Sequence, residues 1–95
     1  MMTTVELIRI KIFNYARLGF INIRNMRMIE AAEEMAIATE DFLEIKDMLG
    51  IFHAVGQIDE PTRKKFFITA MMVRDEILSE LAGIVIKDYE EKWGK

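Results

Sequence analysis

Residues 28–52 read MIEAAEEMAIATEDFLEIKDMLGIF. With Met28 set as position a of a heptad, the a column is Met28, Met35, Phe42 and Leu49, and the d column is Ala31, Ala38, Ile45 and Phe52. No polar residue enters either column, the pattern of a helix that buries one seam. Carboxylates fall on the other positions: Glu30 and Glu44 at c, Glu33, Glu40 and Asp47 at f, Glu34 and Asp41 at g. The b column holds Ile29, Ala36 and Leu43, and e holds Ala32. The apolar stripe therefore runs through d, a, e and b. That is too wide for one neighbouring helix to cover, so the stretch predicts a long helix with at least two neighbours.

Towards the C-terminus the heptad loses definition in Gly50-Ile-Phe-His-Ala-Val-Gly56, and the helix is expected to end there. Asp59 is a good N-cap, and Pro61 suits the first turn of a new helix, where its missing N–H would have no partner anyway. From Pro61 to about Trp93 a second apolar stripe follows: Phe66, Phe67, Ala70, Met71, Val73, Ile77, Leu78, Leu81, Ile84, Val85 and Tyr89. Two long helices joined by a short connection form an antiparallel hairpin.

Towards the N-terminus the pattern has two readings. Thr3 or Thr4 can cap a helix with Val5, Ile8, Ile12 and Tyr15 or Ala16 on one face. Alternatively Ile8, Ile10 and Ile12 alternate with Arg9 and Lys11, and Ile21 and Ile23 with Asn22 and Arg24, as in a β-hairpin turning at Asn14–Gly19. Helix is preferred, because two isolated strands are marginal and no third strand is visible in the chain. Gly19 is the natural break, and the next helix is expected to start as early as residue 20; a kink or short break near Thr39–Asp41, with Thr39 as N-cap, is the alternative to one continuous helix.

The 95 residues make one helical domain, 1–95. Cysteine is absent, which removes disulfides and thiolate metal sites. No run of about 18 uncharged apolar residues is present, and Glu6, Arg9 and Lys11 interrupt the first one, so neither a membrane span nor a secretory signal is expected. A cytoplasmic protein without membrane partners is the expectation. Charge is segregated. Residues 1–29 carry five bases against Glu6, residues 30–60 carry nine acids against Lys46, and the whole chain has a net charge of −3.

Three groups carry candidate chemistry. Glu30-x-x-Glu33 and Glu44-x-x-Asp47, followed by Met48 and Leu49, resemble the paired E-x-x-E and E-x-x-D motifs of the MazG-like nucleotide pyrophosphohydrolases. The resemblance implies an all-α fold in which Glu30, Glu33, Glu44 and Asp47 hold Mg²⁺, a hard ion that takes oxygen ligands. In that family the two motifs lie on different antiparallel helices. Here only residues 34–43 separate them and the heptad runs straight through, so a solvated acidic face is the preferred reading, with no cofactor and no catalytic residue. The basic segment Arg9, Lys11, Arg17, Arg24 and Arg27, interleaved with asparagines, has the residue types that contact nucleic-acid phosphates. Thr62-Arg63-Lys64-Lys65 places cations in a helix's first turn, against its dipole; an exposed basic turn is the preferred reading, and an intrachain acid, another subunit's acidic face or a phosphate is the alternative as compensating partner. His53 has no second histidine or cysteine with which to complete a metal site, and reads as a helix-end residue.

The sequence thus predicts an all-α protein: a long antiparallel helix hairpin, a shorter N-terminal helix, and a bundle completed by dimerisation. Its expected function is non-enzymatic interaction or scaffolding through a helix face. A nucleic-acid-binding regulator and a Mg²⁺-dependent nucleotide hydrolase are the alternatives.

Overall fold

Thr3 starts the first helix. Its Oγ1 accepts the Glu6 N–H at 3.1 Å, satisfying one of the amide donors that a helix leaves open at its start. In this computed structural model, which describes residues 1–20, 23 and 26–94, the chain order is α1 (Thr4–Phe20), α2 (Met28–Ala54) and α3 (Glu60–Lys92). The fold is all-α: a closely packed α2–α3 hairpin with a shorter N-terminal helix laid along it.

The β-hairpin reading of the N-terminal segment is not what forms. Ile8 and Ile12 are buried while Ile10 between them is 44% exposed. A strand would place all three on one face, whereas a helix turns Ile10 away. Gly19 does not end the helix either, since α1 continues through it to Phe20. The glycine is needed for proximity instead. A Cβ at position 19 would run into Ile77 Cδ1 and lie 2.9 Å from Ile77 Cγ1. The second helix begins at Met28, later than residue 20. The strand pattern at Ile21, Asn22 and Arg24 lies outside the described residues, as does Asn25. Ile23 sits in a 3₁₀ turn.

α2 runs through Thr39 without a break. The Thr39 hydroxyl donates back to the Met35 carbonyl at 2.8 Å, a side-chain bond that a helix interior accommodates. The helix stops at Gly56, whose φ is +78°. The Gly56 N–H donates to the His53 carbonyl and the Gln57 N–H to the Phe52 carbonyl. Together these make the Schellman arrangement that glycine permits at a helix end. Three residues on, the Asp59 carboxylate accepts the Thr62 N–H at 2.9 Å and starts α3, with Pro61 in its first turn.

The heptad columns are the core of α2. Ala31, Ala38 and Ile45 of d and Phe42 and Leu49 of a are buried, and Met28, Met35 and Phe52 are half-buried. They meet Phe66, Ala70, Ile77 and Leu81 of α3 and Ile8, Ile12 and Tyr15 of α1. Ile58 closes the hairpin end. The Phe42 and Phe67 rings stand 5.7 Å apart, and the Arg74 guanidinium lies 4.4 Å over the Phe42 ring, an attractive cation–π geometry.

α1 runs antiparallel to α2. Thr4 Oγ1 donates to Gln57 Oε1 at 3.0 Å, Lys11 pairs with Glu44, and the Tyr15 hydroxyl donates to the Ala38 carbonyl at 2.8 Å. Burial pushes the Tyr15 phenol up to about 12, with Arg74 opposing and Asp41 and Asp75 reinforcing.

Candidate interaction surface

α1 sits on the d and g side of α2. Tyr15, Leu18 and Gly19 share a depression with Glu34, Ala38 and Asp41, and Lys11 and Tyr15 share another with Asp41 and Ile45. The g column is therefore not the solvated back that its carboxylates imply. Glu34 and Asp41 are half-buried there, beside half-buried Met48. The reason is angular. At about 100° per residue, g lies next to d, while b lies about 140–160° away from both.

The consequence is an uncovered face. The b residues Ile29, Ala36 and Leu43 and the e residue Ala32 are exposed, Ile29 by 70%. On α3, Ile77 and Ile84 turn towards α1 and the segment that follows it. The next residue in each case, Leu78 and Val85, turns about 100° away and is half-buried. Phe67, Met71 and Ala82 are half-buried in the same way, and Tyr89, expected in the core stripe, is 55% exposed. The α2–α3 layer thus has α1 on one side and an open apolar side opposite.

The acidic residues that resemble a Mg²⁺ motif do not converge. Glu30, Glu33, Glu44 and Asp47 are exposed along one straight helix, over about 25 Å from first to last. Glu44 is taken up by Lys11 of α1 at 3.6 Å. Among the described residues no group of three or more His, Asp or Glu side chains is placed to hold a metal ion.

The basic residues are dispersed as well. Arg9, Lys11 and Arg17 are exposed on α1, but Arg9 and Lys11, two residues apart, point about 160° from each other. Arg27 is exposed immediately before α2, and Arg24 lies outside the described residues. The basic first third meets the acidic middle third within one chain, through Lys11 and Glu44. Of the cations at the start of α3, Arg63 finds an anion in the chain. Arg63 Nε donates to Glu60 Oε2 at 2.9 Å and Nη2 to Oε1, and His53 Nε2 lies 3.3 Å from the same carboxylate. The Arg63 hydrogen bonds hold Glu60 below the usual carboxylate range.

Sequence reasoning missed Asp88. It is the one buried charged side chain among the described residues, and its Oδ2 accepts the Met28 N–H at 2.8 Å. The available signal was its position seven residues after Leu81, where the α3 stripe calls for an apolar side chain.

Comparison with known protein families, with curated proteins and with solved structures returns no match. No helix of the described residues is long and apolar enough to cross a membrane.

Proposed function

We propose that this protein is a non-enzymatic helical interaction protein that works as a homodimer, joined through the open face of the α2–α3 hairpin. The observation behind this reading is the one-sided cover. α1 protects the d and g side of α2, while on the other side Ile29 and Leu43 are exposed and Leu78 and Val85 only half-buried. Two packed helices about 40 Å long present roughly 800 Å² on one face, the amount a standard interface buries per partner. If about 1,000 Å² of apolar surface is removed in total, the gross gain is about 25 kcal/mol, against roughly 4–15 kcal/mol for bringing two chains together.

Sedimentation equilibrium at micromolar concentration should return twice the 11.1 kDa chain mass. High salt should weaken the dimer only slightly, because its main term is apolar. Leu78→Glu combined with Val85→Glu should give single chains that keep their far-UV helix signal. A wild-type monomer at that concentration would overturn the reading.

A further inference from the structure

α1 carries a second stripe that the core does not use. Val5, Ile8, Ile12, Tyr15 and Gly19 face inward. Glu6, Ile10, Phe13, Arg17 and Phe20 recur at the same 3- and 4-residue steps on the opposite side, and all five are exposed. Phe13 is 65% exposed and Phe20 is 40%. Phe13, Ala16, Arg17 and Phe20 line a shallow, mostly apolar depression of about 470 Å³. Among the described residues, neither Glu6 nor Arg17 has an ion-pair partner.

The order of charges along this stripe is self-complementary. Laid antiparallel on itself, with the two-fold axis between residues 11 and 12, the stripe sets Glu6 opposite the partner's Arg17 and Ile10 opposite the partner's Phe13. The same two pairings recur on the other side of the axis, as an isologous contact requires. We propose that this face binds α1 of a second copy in that register, with an apolar centre of two Ile10 and two Phe13 side chains between two Glu6–Arg17 pairs.

This contact goes beyond the hairpin interface and is weaker than it. A single helix face of about 25 Å by 10 Å offers roughly 250 Å², well under a standard interface. It therefore links dimers at high concentration rather than building them. α1 and the open hairpin face lie on opposite sides of the α2–α3 layer. Because the two isologous contacts use different sides of the chain, forming one leaves the other available, so the linked assembly grows beyond the dimer.

The test is the mass of the full chain by sedimentation across a concentration series, at about 50 mM and about 500 mM salt. At low salt, mass should grow beyond the low-concentration limit, and high salt should suppress that growth. Glu6→Arg and Arg17→Glu each place like charges in contact, and each should weaken growth by about tenfold or more. An equimolar mixture of the two variants should recover it, because both ion pairs re-form between unlike chains. Growth of either variant alone at the wild-type level, or no recovery on mixing, overturns the proposal. If a charge reversal frays α1 by circular dichroism, Glu6→Gln takes its place. Its growth must lose its salt dependence, and unchanged salt-dependent growth overturns the proposal equally. Failure of the hairpin interface reads out separately: the low-concentration limit becomes one chain instead of two, and the mixing result is untouched.

Discussion

The Asp88 carboxylate caps α2 from 60 residues away, accepting the N–H of Met28, the first residue of that helix, at 2.8 Å. Arg27, in the N-cap position, makes no side-chain cap of its own. The helix dipole favours an anion at this place, and Lys92 stands 3.4 Å from the same oxygen. The Met28 hydrogen bond, helped by Lys92 and Arg27 and opposed by desolvation, holds Asp88 below the usual carboxylate range.

Asp88→Ala should therefore lower the melting temperature at neutral pH and speed amide exchange in the first turn of α2. A carboxyl whose pKa is depressed by folding stabilises fully above its unfolded value of about 4 and loses that contribution as pH falls through the lower folded value. The gap between wild type and Asp88→Ala should accordingly close below about pH 4. A gap that stays constant down to pH 2 would show that the carboxylate charge contributes nothing.

Tyr15 responds at the other end of the pH scale. Folding raises its pKa to about 12, so the unfolded chain releases this proton first and stability falls as pH rises from about 10 to 12. Tyr15→Phe should cost about 0.5–1.5 kcal/mol near pH 7 for the lost bond to Ala38. Chemical denaturation of both proteins up to pH 12 checks the sign: the advantage of Tyr15 should shrink over that range.

Phe42 and Glu33 separate the buried seam from the acidic face. Phe42 is 4% exposed and stands between Phe67 and Arg74. Phe42→Ala should cost about 3–5 kcal/mol. Glu33 is exposed, and Glu33→Ala should change stability by less than about 0.5 kcal/mol. Equal costs from urea melts would mean that the heptad register is wrong.

Two glycine substitutions should act in opposite directions. Gly83 is exposed within α3 with nothing within 4 Å of an added Cβ, so Gly83→Ala should stabilise by about 0.5–1 kcal/mol. At Gly19 the same gain in helix propensity meets fully buried Ile77. Overpacking costs about 1–3 kcal/mol, so Gly19→Ala should be net destabilising or at best neutral. A Gly19→Ala variant as stabilised as Gly83→Ala would mean that α1 does not approach Ile77 closely.

The sequence by itself determined the α2–α3 hairpin and the helix starts at Thr3 and Asp59, because periodicity and capping are local, but not the end of α1 or the start of α2. The a and d columns of residues 28–52 and the Asp59–Pro61 start of α3 are each written within a few turns of chain, and each forms as read; of the two threonines offered for the start of α1, Thr3 is the one used. Only the tertiary structure decided which side of α2 receives α1. The apolar residues at a, b, d and e called for two neighbours without saying which side α1 would take. α1 lies over d and g, where Ala38 leaves room for Tyr15 and Gly19 lets the backbone approach Ile77. That choice half-buries Glu34 and Asp41 and leaves the b column open. The roles of Asp88, Arg74 and Gly19 were hidden for the same reason. Each depends on a residue at least 32 positions away, at Met28, Phe42 and Ile77, and a one-dimensional pattern does not record which helix faces meet.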